Sequence, residues 1–140
     1  MSAPATVTRL RPIRTLTIAR DLAFRQRAVT VLAELGPTAF AVAALDRPAE
    51  VVALVLEQDA DVVVLDVTVS ATELAQVITA LLQSAPRVGI VAVSDRVDRG
   101  GHALPILAKW GWAAELLHAT QDAYRRGNPL KEDVSHVRHQ

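Results

Sequence analysis

The chain has 140 residues, of which 51% are hydrophobic, with 15 basic and 15 acidic side chains and no cysteine. This length and apolar content suit one domain, and the balanced charge creates no field that attracts nucleic acid or anionic lipid. The absence of cysteine excludes disulfides, thiol catalysis and thiolate metal sites. No apolar run is long enough to span a bilayer, so we expect a soluble, cytoplasmic protein that binds neither membrane nor nucleic acid.

The first third of the chain predicts a leader followed by a strand, a helix and a second strand. Residues 1–12 hold two prolines and few large apolar side chains, so we expect a flexible leader. Residues 15–19 are β-prone, and Asp21 precedes apolar residues that recur at helical spacing. The Gly-Pro pair at 36–37 ends this helix, and residues 38–45 predict the second strand.

The middle of the chain predicts a helix, a buried strand and another helix. Asp46 is a candidate N-cap for the first of these helices. Its buried face is predicted to hold four side chains, Val51, Val52, Val55 and Leu56. Residues 61–66 read Asp-Val-Val-Val-Leu-Asp, and four large apolar residues in a row are typical of a parallel strand covered on both faces. Ser70 or Thr72 opens the next helix, which Pro86 ends.

The last third leaves two interpretations open after a fourth strand at residues 88–93. In the first, which we favour, residues 104–108 form a fifth strand and residues 112–126 form the last helix, because apolar side chains recur there at helical spacing. In the second, residues 102–110 form a helix and residues 113–117 form the last strand.

Strands and helices thus alternate along residues 13–127, which predicts an α/β domain with a doubly wound, five-stranded parallel sheet. Residues 128–140 are polar and predict a flexible tail. In an open parallel sheet, ligands and reactive groups gather beyond the carboxyl ends of the strands. The candidates at those ends are Ala-Arg-Asp at 19–21, Asp66, Ser94 and Lys109.

Asp66 is the strongest candidate for chemistry, because a carboxylate directly after four apolar residues would lie at the mouth of the sheet. An aspartate can accept a phosphoryl group as an acyl phosphate. The negative charge that accumulates needs a cation and hydrogen-bond donors, which Lys109 and Ser94 would supply. Each of the three also has an ordinary explanation, as a strand-end cap, an exposed lysine or a loop serine.

The chain resembles the receiver domain of bacterial response regulators, of the chemotaxis (CheY-like) and NarL types, over residues 13–127. The resemblance rests on Asp-Val-Val-Val-Leu-Asp at 61–66, Val-Ala-Val-Ser at 91–94 and Leu-Ala-Lys at 107–109. It implies a flavodoxin-like fold, a histidine kinase as partner and, for the NarL type, pairing as a homodimer.

The resemblance also implies a role for each site residue. Asp66 falls on the phosphoacceptor position, Ser94 on the switch hydroxyl after the fourth strand, and Lys109 on the lysine that contacts the phosphoryl group. Under the second interpretation, His118 takes the place of Lys109. The segment between Ser94 and Lys109 is shorter than in the family, so we expect a shortened fourth-helix region.

The family's metal-binding residues are missing. The family places an acidic pair after the first strand, which holds Mg²⁺ together with the acceptor aspartate. Here Ala19 and Arg20 fall on those positions, and Asp21 follows one place late. Because Mg²⁺ prefers oxygen ligands in octahedral geometry, we expect it to bind weakly or not at all, and we expect no other metal or cofactor. Arg20 would instead place a fixed cation near Asp66.

Three functions remain. The first is a stand-alone receiver in two-component signalling, not an enzyme, which takes a phosphoryl group on Asp66 or signals without phosphorylation. The second is a pseudo-receiver, a protein-interaction or dimerisation module that keeps the fold alone. The third, a distant alternative, is a small flavodoxin-like enzyme or ligand-binding domain, for which the sequence has no nucleotide or flavin fingerprint.

Overall fold

The computed structural model describes residues 12–43, 45–67, 71–95 and 106–127. Strands and helices alternate along them: β1 (Thr15–Ile18), α1 (Leu22–Leu32), β2 (Thr38–Ala41), α2 (Pro48–Gln58), β3 (Val62–Asp66), α3 (Ala71–Ser84), β4 (Gly89–Ser94), β5 (Ile106–Ala108) and α4 (Ala113–Gly127). Most of the predicted leader, the predicted tail, Ser70 and the shortened region expected between β4 and β5 lie outside these described residues.

The five strands form one parallel sheet in the order β2-β1-β3-β4-β5. The chain runs outward from β1 to β2 and then crosses back to β3, so the direction of winding reverses between β1 and β3. A crevice opens at such a point beyond the carboxyl ends of the strands. The prediction of an α/β, doubly wound, five-stranded parallel sheet is confirmed.

The central strand β3 is covered on both faces, as its apolar run predicts. Val62 and Val64 pack in one core cluster with α1 and α4. Val63 and Leu65 pack in the other with α2 and α3. All four side chains are completely buried. Asp66, the next residue, is therefore held in a fixed position at the carboxyl edge of the sheet.

Three details of β2 and α2 differ from the prediction. Asp46 does not cap α2, because Pro48 fixes the backbone of the first helical turn and leaves Arg47 at the cap position, with no side-chain cap. Leu56 is 57% exposed, since it is rotated by about 100° from Val55 around the helix. In addition, β2 is an edge strand that ends at Ala41 rather than continuing to residue 45.

The last helix, α4, decides between the two interpretations of the C-terminal third. Residues 113–117 are helical, so the second interpretation is wrong. The buried face of α4 holds Leu116, Thr120 and Ala123. A Cβ atom on Gly89 would lie 2.4 Å from the carbonyl oxygen of Ala123, so glycine lets the helix approach β4 closely.

None of the helices in the described ranges is long and apolar enough to cross a lipid bilayer.

Candidate functional site

Asp66 ends β3 beside a cleft of about 530 Å³ at the carboxyl edge of the sheet. It lies opposite Val93 in the pairing of β3 with β4, and the next peptide continues this pairing through the hydrogen bond from Val67 N to Val93 O. The charged residues that line the cleft are Arg20, Asp21, Asp46, Asp66, Glu73 and Lys109.

Lys109 follows β5 directly and points its side chain at Asp66. Its backbone N–H donates to the carbonyl of Ser94 at 2.8 Å, which extends the pairing of β5 with β4 by one residue. Its Nζ lies 2.8 Å from Oδ2 of Asp66, and the two side chains are only 5% and 9% exposed. A cation this deeply buried requires close negative partners, and Asp66 is one of them.

Asp21 is the second carboxylate partner of Lys109. Its Oδ2 lies 3.0 Å from Nζ of the lysine. Its Oδ1 accepts hydrogen bonds from the backbone N–H groups of Ala23 and Phe24, at 3.0 and 3.3 Å, and so caps α1. One carboxylate thus fixes the start of a helix and a buried ammonium at once. Lys109 bridges two carboxylates from neighbouring strands, Asp21 after β1 and Asp66 at the end of β3.

These contacts favour the charged forms of Asp21 and Lys109. The hydrogen bond from Lys109, followed by that from the backbone of Phe24, holds the pKa of Asp21 below its usual value. Burial alone would lower the pKa of Lys109, but its hydrogen bonds to Asp66 and Asp21 outweigh this and raise the pKa above its usual value. The lysine is therefore a fixed cation at neutral pH and not a nucleophile.

The other predicted site residues differ in burial and in whether they lie beside Lys109. Ser94 is buried at the end of β4, beside Lys109. Ala19 is buried, whereas Arg20 is exposed at the rim of the cleft, and no ion pair of Arg20 is present among the described residues. His118 is 76% exposed on α4, 3.9 Å from Asp122. The placement of His118 at the lysine position is therefore wrong, because residues 113–117 form a helix and not a strand.

The residues present do not fit the Mg²⁺ site that the resemblance implies. Ala19 has no side-chain oxygen, and Arg20 carries a positive charge. The carboxylates of Asp21 and Asp66 are already bound by the ammonium of Lys109, while Mg²⁺ requires a nearly octahedral shell of oxygen ligands. No group of three or more side chains able to hold a metal is present in the part of the chain that the structure describes.

Sequence reasoning missed the aromatic neighbours of Lys109. Its Nζ lies 5.6 Å from the ring centroid of Phe24 and 5.7 Å from that of Trp110. Trp110 follows the lysine directly in the sequence. Phe24 lies three residues after Asp21, so the first turn of α1 places Asp21 and Phe24 on the same side of the helix. That spacing is visible in the sequence, but only the structure shows that it faces Lys109.

No protein-family model and no curated protein matches the chain. Solved structures do match it, and many of them are receiver domains. The chain therefore has the fold of a receiver domain, which is the CheY-like form of the flavodoxin-like architecture.

Three of these structures illustrate the similarity. The signal receiver domain of an HD domain-containing protein from Pseudomonas fluorescens Pf-5 is 19% identical with a TM-score of 0.64, and the match covers 91% of this chain and 98% of that one. A response regulator receiver protein from Sinorhizobium medicae WSM419 is 19% identical with a TM-score of 0.63, over 84% and 98%. The beryllofluoride-activated NtrC4 receiver domain dimer is 17% identical with a TM-score of 0.63, over 82% and 98%.

Proposed function

We propose that this chain is an atypical receiver domain of cytoplasmic two-component (phosphorelay) signalling, in which Asp66 accepts a phosphoryl group from a histidine kinase. The observation that carries the proposal is the contact between Lys109 and Asp66. A buried ammonium lies 2.8 Å from a carboxylate at the carboxyl end of the central strand, in a sheet with the receiver-domain fold. The fold supports a signalling role, and Asp66 is the group that we expect to carry the signal.

The proposed step is a transfer of a phosphoryl group to a carboxylate. An oxygen of Asp66 attacks the phosphorus atom of a phosphohistidine or of acetyl phosphate and forms a new O–P bond. The bond between phosphorus and the leaving nitrogen or oxygen breaks, and the leaving group keeps its electron pair. The ammonium of Lys109 and the hydroxyl of Ser94 would stabilise the added negative charge. The product is a modified state for other proteins to recognise, so we propose signalling rather than catalysis.

Acetyl phosphate and intact-protein mass spectrometry test this proposal. We expect the wild-type chain to gain one phosphoryl mass, and we expect Asp66→Asn to gain none. Asp46→Asn is the matched control, because Asp46 lines the same cleft and is exposed. Equal labelling of all three proteins would place the phosphoryl group elsewhere, and no labelling of the wild-type chain would contradict the proposal.

The second candidate is a pseudo-receiver that associates with other proteins without phosphorylation. This candidate is favoured because Ala19 and Arg20 offer no oxygen ligand for Mg²⁺. The solved NtrC4 receiver domain is a dimer, and we propose a second copy of this chain as the first partner to test. Sedimentation of wild type and Asp66→Asn distinguishes the candidates: a pseudo-receiver associates equally in both, whereas a phosphorylation-dependent receiver associates more strongly after treatment with acetyl phosphate, and only in wild type.

A further inference from the structure

One face of α1 contacts the segment that carries the site lysine. Asp21, Phe24 and Arg27 follow one another at intervals of three residues, which places them on the same side of the helix. Asp21 binds the ammonium of Lys109 and Phe24 packs its ring near it. Arg27 donates to the backbone carbonyls on either side of Trp110.

Two aromatic rings also lie near the ammonium. The rings of Phe24 and Trp110 contact each other edge to face, with 5.8 Å between centroids and 86° between planes. Both centroids lie within the distance of about 6 Å at which a cation interacts with a ring. The Lys109 side chain is only 5% exposed, so these attractions act with little screening by water.

Arg27 fixes the backbone from which Lys109 projects. Its guanidinium donates to the carbonyl oxygens of Lys109 and Gly111, and it lies 6.0 Å from the ring of Trp110. On the opposite side, the N–H of Lys109 donates to Ser94. The peptide of the lysine is thereby held between β4 and α1, and its side chain has little freedom to leave Asp66.

We propose that Arg27 and Trp110 are positioning residues that hold the ammonium of Lys109 against Asp66. Together with Phe24 they form a group that we call the Lys109 clamp. The inference rests on the proposed function, because a cation fixed on Asp66 before reaction lowers the cost of orienting it during phosphoryl transfer. The position of the lysine can nevertheless be measured without any phosphorylation.

Competitive acetylation of the amines tests the clamp in the full chain. The chain has only two lysines, Lys109 and Lys131, so each amine can be followed by peptide mass. Trace acetic anhydride at neutral pH should label Lys109 at least about tenfold more slowly than Lys131, because the ammonium of Lys109 is buried and paired with two carboxylates, which disfavours the reactive neutral amine. Trp110→Leu and Arg27→Gln should each raise the labelling of Lys109 severalfold, whereas Trp110→Phe, which keeps a ring, should stay near wild type.

Matched controls separate positioning from a general loss of structure. Trp112→Leu removes a tryptophan that is 79% exposed, and Arg126→Gln removes an exposed arginine of α4. Both should leave the labelling of Lys109 unchanged. The clamp is refuted if Arg27→Gln and Trp110→Leu leave the labelling unchanged, or if the two controls raise it equally. If Trp110→Leu does not fold, Arg27→Gln decides the question: unchanged labelling of Lys109 in that variant refutes the clamp.

A phosphorylation arm keeps the two proposals distinguishable. If acetyl phosphate labels the wild-type chain, we expect Arg27→Gln to be labelled severalfold more slowly. An unchanged rate would refute the claim that the clamp speeds the phosphorylation of Asp66. If acetyl phosphate labels no variant, the proposed function fails. The acetylation result then still decides whether Arg27 and Trp110 hold Lys109.

Discussion

Lys109 and Asp66 form an ion pair with 2.8 Å between Nζ and Oδ2, and their side chains are only 5% and 9% exposed. An ion pair at this depth contributes less than its Coulomb attraction suggests, because both charges have lost their hydration. Removing Lys109 is costly for the same reason, because Asp66 then keeps a buried negative charge without the ammonium. The pair therefore makes the stability of the fold depend on the chemistry of the site.

Replacing Lys109 should destabilise the protein strongly. Lys109→Met keeps a long apolar side chain but leaves the carboxylate of Asp66 without its ammonium, and we expect it to lower the free energy of unfolding by about 3 kcal/mol. Adding Asp66→Asn should restore most of this loss, because the buried negative charge that Lys109 neutralised is then gone. Urea denaturation of the two single variants and the double variant at neutral pH measures the coupling. Additive effects of the two substitutions would contradict the pairing.

Asp21 should make the stability of the fold sensitive to acid. Because the hydrogen bond from Lys109 holds the pKa of Asp21 below its usual value in the folded chain, the carboxylate contributes stability above the usual pKa, and the contribution is lost as the pH falls through the lower, folded value. Asp21→Asn still caps α1 but has no charge to offer Lys109. We expect thermal unfolding temperatures of this variant to fall less steeply in acid than those of wild type.

Asp21→Ala separates the two tasks of this carboxylate. It removes the cap as well as the charge, so it should be less stable than Asp21→Asn at every pH, with the same shallow dependence on acid. If the two variants have equal melting temperatures at neutral pH, the capping bonds to Ala23 and Phe24 contribute nothing.

Thr17→Val should stabilise the protein. Thr17 is completely buried in β1, and its hydroxyl has no hydrogen-bond partner among the residues that the structure describes. Because a buried hydroxyl without a partner keeps its full cost of desolvation, we expect a gain of about 1 kcal/mol. Thr120→Val is the matched control, since Thr120 is equally buried but donates to the carbonyl of Leu116 at 2.8 Å. The control should lose stability, and urea denaturation that shows a loss for both variants would contradict the account.

The fold followed from features that are local in the sequence. The apolar run that ends at Asp66 predicted a strand covered on both faces, and it forms the centre of the sheet. The helical spacing of residues 112–126 predicted the last helix. The wrong predictions concerned a helix cap and the orientation of one side chain. Because Pro48 begins α2, Arg47 and not Asp46 takes the cap position. Leu56 faces outward although it adjoins the buried Val55.

The candidate site followed from the sequence only in part. Parallel strands must end at one edge, so the sequence was able to predict that Asp66, Ser94 and Lys109 lie near one another. It gave no means of predicting that Asp21 turns one oxygen to the helix and the other to Lys109, because this depends on the angle at which α1 leaves β1. The contacts of Phe24 with Lys109 span more than 80 residues of sequence, and no local pattern reports them.

Phosphorylation of Asp66 in the presence and absence of Mg²⁺ tests the central claim most directly. With Lys109 as the fixed cation of the cleft, we expect acetyl phosphate to modify wild type to a similar extent in Mg²⁺ and in a chelator, and to leave Asp66→Asn unmodified in both. Intact mass and phosphorus NMR of the same samples measure the extent. A modification that requires Mg²⁺, or one that persists in Asp66→Asn, would contradict the claim that Lys109 and Asp66 form a metal-free phosphoacceptor site.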